Sequence, residues 1–136
     1  DPEILNPQIK RPTKETALLV SPGQGLLTSD GTIVIPFYDH GDGEENASII
    51  WSDDNGKTWE RSNDVPGAAA GGYWSSESEV VELSDGTLRM FFRSGQGVVC
   101  YSDAVRNTSG DYVFTKPVKT GVSCTSTCKC DSDQLF

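Results

Sequence analysis

The sequence is poor in the residues that build metal sites, nucleic-acid surfaces and membrane spans. It has one histidine, and its 11 basic side chains face 20 acidic ones, which gives a formal net charge of −9. Such an acidic chain disfavours nucleic acid and anionic membranes as partners. No run approaches the roughly 18 consecutive apolar residues that a membrane helix needs, and the first residues, DPEILNPQIK, lack a signal-peptide pattern. We therefore expect no membrane insertion, and any bound anion must be held by a few placed arginines.

The cysteines do not have the spacing of a metal site. Zinc sites pair CxxC motifs with a second pair or with histidines at defined spacings, and His40 is far from every cysteine in sequence. We expect no metal and no cofactor, and we interpret the cysteines as ordinary thiols, with one disulfide as the alternative. The four positions are Cys100, Cys124, Cys128 and Cys130.

Helical periodicity is also nearly absent, whereas short apolar runs bounded by glycine, aspartate and asparagine recur along the whole chain. Their length and the turn signals between them predict strands, so the expected fold class is all-β. The runs are GLLTSD, GTIVIPFY, ASIIWS, SEVVELS, GTLRMFFRS, GVVCYS and DYVFTKPV.

The predicted strands repeat. Residues 29–35, SDGTIVI, align with residues 84–90, SDGTLRM, and the segment IWSD at 50–53 aligns with CYSD at 100–103. A repeat of about 50 residues with three or four antiparallel strands is typical of β-propeller blades.

We expect one blade at residues 17–65, most of another at 76–120 and an incomplete repeat at 121–136. A propeller needs about four to eight blades to close its ring. The two to three blades predicted here therefore form part of a larger propeller, or they complete a ring by self-association.

Residues 52–59, SDDNGKTW, match the Asp-box consensus SxDxGxTW. The aspartate can accept backbone N–H bonds across a turn, the glycine supplies a positive φ, and the tryptophan can fold back over the hairpin as an apolar plug. We prefer this structural interpretation of the tryptophan to a ligand platform. The matching residues are Ser52, Asp54, Gly56, Thr58 and Trp59.

With this box the sequence resembles the bacterial-type sialidases, or neuraminidases, whose six-bladed propellers carry Asp boxes on outer hairpins. Two further stretches carry the resemblance. Residues 22–36, PGQGLLTSDGTIVIP, are similar to the family segment PGxGxxxxDGTxxxP. Residues 75–93, SSESEVVELSDGTLRMFFR, are similar to the segment that holds the family's glutamate and ends on the second of its three substrate-binding arginines.

The resemblance places Glu77 and Arg93 at these two family positions. It implies a fragment of a retaining exo-α-sialidase that removes terminal sialic acids from sialylated glycans, with a tyrosine nucleophile. Glu77 would activate that tyrosine and Arg93 would bind the substrate carboxylate. Arg11 does not fit the family's first arginine motif, and the acid/base aspartate, the third arginine and the tyrosine have no match here, so the chain alone is expected to be inactive. The resemblance also implies a secreted or cell-surface location.

Strand geometry gives an independent reason to bring Glu77 and Arg93 together. If residues 84–86 form a three-residue loop with Gly86 in the left-handed conformation, Leu83 pairs with Thr87 and Glu77 falls opposite Arg93. A loop of two or four residues would break this pairing. The alternative interpretation of the pair is a surface ion pair, which contributes about 0–1 kcal/mol.

Two residues of the preceding blade are further site candidates. By the repeat, Tyr38 corresponds to Arg93, so Tyr38 and Asp39 are expected near the same end of the propeller, lining the sugar or the leaving group. The alternative for Tyr38 is a partly exposed aromatic at a strand end.

Two other functions remain open at this point. One is a non-catalytic Asp-box propeller module that binds glycans or proteins. The other is a small β domain that forms a homo-oligomer through its open blade edges.

Overall fold

A computed structural model of the protein describes residues 5–11, 15–41, 44–67 and 74–123. Within these ranges the regular structure is almost entirely antiparallel β-sheet, which confirms the predicted all-β class. The exception is a single-turn helix, α1, at Asn6–Ile9. Three of the four cysteines and most of the repeat predicted at 121–136 lie outside the described residues. No helix in the described ranges is long and apolar enough to cross a membrane.

The first sheet has five strands in the order β1-β3-β4-β5, with β2 also pairing with β3. Strand β1 is not among the strands that the sequence predicts, and it pairs along β3 from Val20↔Phe37 to Glu15↔Gly41. The strands are β1 at Glu15–Val20, β2 at Leu26–Leu27, β3 at Ile33–Gly41, β4 at Glu44–Ser52 and β5 at Glu60–Arg61.

The second sheet also has five strands, in the order β10-β8-β7-β6, with β9 pairing with β8. It repeats the hairpin arrangement of the first sheet, as the 50-residue repeat predicts. The strands are β6 at Ser75–Glu82, β7 at Leu88–Ser94, β8 at Val98–Arg106, β9 at Tyr112–Phe114 and β10 at Val118–Ser123.

The turn between β6 and β7 has the predicted form. The N–H of Leu83 donates to the carbonyl oxygen of Thr87 at 2.8 Å, and the N–H of Gly86 donates back to Leu83 at 2.9 Å. Gly86 has a φ of 83°, in the left-handed region that glycine adopts without a steric penalty. The strands consequently pair in the predicted register as far as Ser78↔Phe92.

The two sheets stack face to face and enclose one apolar core. Every second residue of β7 points into this core, as the two-residue period of a strand requires. Trp51 of the first sheet meets Tyr112 of the second edge-on, with ring centroids 5.3 Å apart. The core residues are Val34, Ala47, Ile49, Trp51, Val65, Val80, Leu88, Met90, Phe92, Cys100, Ala104, Tyr112 and Phe114.

The outer face of the second sheet carries exposed apolar side chains. By the sequence repeat, Phe91 and Tyr101 of this face correspond to Pro36 and Trp51, which the stacking of the two sheets buries. The sheets therefore pack through two different faces, as successive blades of an array do, and the exposed face is equivalent to a buried one. Its exposed apolar members are Val81, Phe91, Val105, Val113 and Val118.

Candidate functional site

Glu77 and Arg93 meet at the open end of the β6–β7 hairpin, as the register argument predicts. Nη1 of Arg93 donates to both carboxylate oxygens of Glu77, at 3.2 and 3.4 Å. The paired side chains remain half-exposed, at 51% for Arg93 and 42% for Glu77. One detail differs from the prediction: the register shifts by one residue between Ser78 and Ser75, so Glu77 lies within a β-bulge. Bulges re-aim side chains at strand ends and beside active sites.

Glu77 is a carboxylate that stays ionised. Burial raises its pKa, but hydrogen bonds from Ser76 and Arg93 outweigh that effect and hold the pKa below the ordinary glutamate value. The hydroxyl of Ser76 donates to Oε2 of Glu77 at 2.8 Å. Near neutral pH Glu77 can therefore accept a proton or hold a cation, and it cannot serve as a proton donor.

Tyr38 lies on the face of the first sheet that looks toward the second sheet. It pairs with Ala47, whose N–H donates to Oγ of Ser75 on β6 at 2.8 Å. Desolvation raises the pKa of the Tyr38 phenol, and the neighbouring Glu77 carboxylate raises it further. Since Arg93 also acts on this pKa, in the lowering direction, Tyr38 belongs to the same electrostatic environment as the pair. Its phenol stays protonated.

Asp39 does not join this group. Its buried carboxylate accepts hydrogen bonds from Nη2 of Arg61 and from Nδ2 of Asn46, the latter at 3.1 Å. Successive residues of a strand point to opposite faces, so Tyr38 and Asp39 cannot both face the pair. The expectation that they line one site overlooked this alternation, and the structure places Asp39 in an ion cluster with Arg61 and Glu15.

Buried serines fix the strand that carries Glu77, and the sequence argument missed them. The hydroxyl of Ser21 accepts from the N–H of Ser78 at 2.7 Å and bonds its hydroxyl at 2.9 Å. The N–H of Ser21 donates to the carbonyl of Pro36 at 3.1 Å. The first sheet therefore holds β6 on both sides of Glu77, through Ser75 and Ser78. The serine-rich run SSES at 75–78 is the signal that could have revealed this seam.

The glycine-rich segment at 22–25 packs against the same strand. A Cβ on Gly23 would overlap the carbonyl oxygen of Ser78 and lie 3.1 Å from Cα of Glu79. The N–H of Gln24 donates to Oε2 of Glu79 at 3.0 Å. Glycine is required at position 23 because the loop backbone approaches β6 so closely.

The Asp box has the hydrogen bonds that its consensus predicts. Asp54 accepts the N–H of Thr58 at 2.9 Å and the hydroxyl of Thr58 at 2.7 Å, and Ser52 donates to it at 2.8 Å. These bonds lower the pKa of Asp54 to about 2. The indole Nε1 of Trp59 donates to the carbonyl of Gly56 at 3.0 Å, so the ring folds over the turn.

The box lies away from the pair. Ser52 pairs with Ile33 at one end of the β3–β4 hairpin, whereas Tyr38 pairs with Ala47 toward the other end. Among the described residues, no three acidic, histidine or cysteine side chains group as a metal site. Cys100 is a buried free thiol in the core.

Two stacked antiparallel sheets, a sequence repeat and an Asp-box turn define the class of this protein as an Asp-box β-propeller. Over residues 1–111 the chain matches the family described as BNR repeat-like domain. The chain belongs to that family, and the relatives that it matches include several sialidases.

Three comparisons illustrate the relationship. The sialidase of Paraclostridium sordellii is 36% identical over 88 residues, which cover 62% of this chain and 20% of that protein. The NanB sialidase of Streptococcus pneumoniae superposes with a TM-score of 0.58 at 30% identity, covering 76% of this chain and 15% of that one. The intramolecular trans-sialidase of Ruminococcus gnavus, solved with oseltamivir carboxylate, gives a TM-score of 0.65 at 24% identity over 83% of this chain and 22% of that one. The chain thus spans about a fifth of these proteins or less.

Proposed function

We propose that this chain is part of a sialidase propeller and that Glu77 and Arg93 act on a terminal sialic acid. The observation that carries the proposal is the contact of the Arg93 guanidinium with an ionised Glu77 at an open hairpin end. Sialidases among the relatives support the substrate class.

Arg93 suits the carboxylate that distinguishes sialic acid from neutral sugars. A guanidinium presents a rigid, planar fork of donors that matches a carboxylate. The chain carries a formal charge of −9, so an anionic sugar must be captured by a specific contact rather than by the overall field.

Glu77 would act as the base that activates a tyrosine nucleophile. A carboxylate nucleophile would be repelled by the carboxylate of the substrate, and sialidases use a tyrosine instead. As the phenol oxygen bonds to the anomeric carbon, the glycosidic bond breaks, the phenolic proton passes to Glu77, and an acid protonates the leaving oxygen. Water then releases the sugar from the tyrosine with retention of configuration.

Tyr38 is assigned to binding rather than to this covalent step. Its raised pKa keeps the phenol neutral, which suits hydrogen bonding to a hydroxyl of the sugar or the leaving group. We expect the chain alone to be inactive, because the family's nucleophile, acid and two further arginines have no assigned counterpart in it. Sialylated glycans at a cell surface or in the extracellular space are the expected partners.

A fluorogenic sialoside assay tests this function, run on the chain alone and on the longer protein that contains it. The longer protein should release the fluorophore, and Glu77→Gln or Arg93→Gln should reduce kcat/KM by about 100-fold or more. Arg89→Gln is the matched control, since Arg89 lies on the same strand but pairs with Asp103 at 2.7 Å. An inactive longer protein that still binds sialosides would instead establish a non-catalytic propeller module, and activity in the short chain would refute the assignment of missing groups.

A further inference from the structure

An indole lies beside the Glu77–Arg93 pair, and the function proposed above does not use it. Trp74 directly precedes β6, and its carbonyl accepts the N–H of Gly95 at 3.0 Å. Because the neighbouring pair is Ser75↔Ser94, this bond extends the β6–β7 ladder by one step at its open end. Trp74 and Gly95 are thus cross-strand neighbours.

Gly95 makes the space in which the indole lies. A Cβ at position 95 would come within 2.5 Å of Nε1 and 2.6 Å of Cδ1 of Trp74. Aromatic rings pack well over a cross-strand glycine, because the glycine offers no side chain of its own on that face of the sheet. The requirement for glycine here is steric.

Arg93 contacts the same indole. Arg93 is the second-last residue of β7, and Gly95 directly follows the end of that strand. The Cζ atom of Arg93 lies 5.0 Å from the centre of the Trp74 ring, within the range of a cation–π contact. The guanidinium is in contact with the indole and, through Nη1, with Glu77.

We propose that Trp74 is a positioning residue for Arg93: the indole, packed over Gly95, holds the guanidinium in the orientation that meets Glu77 and receives the ligand carboxylate. Arginine on a half-exposed strand end otherwise samples many rotamers, and ordering it on binding costs affinity. An indole that already restricts these rotamers lowers that cost. The ligand-binding role of Arg93 rests on the proposed function, whereas the positioning contact does not.

The test measures the pKa of Glu77 from the NMR chemical shift of its carboxyl carbon, during a pH titration of the 136-residue chain. Arg93 lowers the pKa of Glu77, so any change that releases the guanidinium should raise that pKa. Arg93→Gln removes the guanidinium and should therefore show the largest rise in the pKa of Glu77. Trp74→Leu should reproduce much of it, Trp74→Phe should retain the wild-type value because it keeps an aromatic face, and Gly95→Ala should resemble Trp74→Leu although both side chains are present.

Phe91→Leu is the matched control. It removes an exposed aromatic ring from the same strand and the same face, and the Phe91 ring packs against Tyr101. The proposal is overturned if Trp74→Leu leaves the Glu77 titration unchanged in a folded chain, or if Phe91→Leu shifts it as much.

A second readout separates this inference from the proposed function. The methyl α-glycoside of N-acetylneuraminic acid is titrated into each variant, and Trp74→Leu and Gly95→Ala should weaken its binding about tenfold while Trp74→Phe stays near wild type. If the Glu77 titrations behave as expected but no variant, including the wild type, binds the sialoside, the positioning role stands and the proposed ligand is wrong.

Discussion

Replacing Arg61 tests whether the ion cluster beneath the first sheet is structural. Arg61 is 5% exposed and its partners Glu15 and Asp39 are each 3% exposed as side chains. The guanidinium also lies over Phe37, with Cζ 4.6 Å from the ring centre, and Nη1 donates to the carbonyl of Ile9 at 3.3 Å. Arg61→Gln would remove the cation and leave two carboxylates buried without it.

The expected cost follows from that burial. Removing one partner of a buried ion pair destabilises a protein by about 3–5 kcal/mol, because the remaining charge stays desolvated. Arg61→Gln should therefore lower the free energy of unfolding by about this amount, which is a large share of the about 5–15 kcal/mol typical of a domain. Urea denaturation followed by circular dichroism measures the change as a shift in midpoint at constant slope.

Two further variants make the result interpretable. The triple variant Arg61→Met, Glu15→Gln and Asp39→Asn removes the three buried charges and leaves the partly exposed Asp64 paired with Arg11. It should recover much of the loss. Arg89→Gln breaks a pair whose side chains are each 29% exposed, and it should cost clearly less than Arg61→Gln because solvent screens the pair. A loss below about 1 kcal/mol in a natively folded Arg61→Gln chain would refute the assignment of a buried cluster. Such a result would also reopen a ligand-binding role for Asp39.

Substitutions of Asp54, Gly86 and Gly23 test smaller contributions to stability and binding. Asp54→Asn should lower the melting temperature near neutral pH: with a folded pKa of about 2, the stabilisation by Asp54 is complete above the ordinary aspartate pKa and is lost as pH falls through about 2. The melting temperatures of the wild type and Asp54→Asn should therefore converge in strong acid. A difference that persists there would contradict the stabilising role of the Asp54 carboxylate. Gly86→Ala should lower the free energy of unfolding by about 1 kcal/mol, because residue 86 has a φ of 83°. Gly25→Ala is its control: the added Cβ meets nothing closer than 3.5 Å, so the loss in the same urea titration should be smaller. Gly23→Ala should displace Ser78 and weaken sialoside binding as well as stability, and unchanged binding in calorimetry would show that the loop does not position Glu77.

The register of the β6–β7 hairpin could be predicted because one local rule determines it. The Ser-Asp-Gly loop requires a left-handed glycine, and a three-residue loop fixes the cross-strand partners. This register brings Glu77 close to Arg93, a contact that the structure contains. The β-bulge before Ser78 could not be predicted in this way, because it depends on how the first sheet binds the serines of β6.

Other features depend on contacts between distant segments. Strand β1 has no tight turn to mark it and forms by pairing along β3. Trp74 directly precedes β6, and its pairing with Gly95 follows only once the register beyond the bulge is known. The repeat aligns Tyr38 with Arg93 and therefore predicts that Asp39, the next residue, lies near the same end of the propeller. Strand alternation nevertheless turns the Tyr38 and Asp39 side chains to opposite faces.

We propose that Arg93, held against Glu77, recognises the carboxylate of a sialic acid. The most direct measurement compares binding of the methyl α-glycoside of N-acetylneuraminic acid with binding of its methyl ester, by NMR titration of wild type, Arg93→Gln and Arg89→Gln. We expect the wild type and Arg89→Gln to prefer the free acid by about tenfold or more, and we expect Arg93→Gln to lose this preference. Equal binding of acid and ester by the wild type, or an undiminished preference in Arg93→Gln, would contradict the proposal.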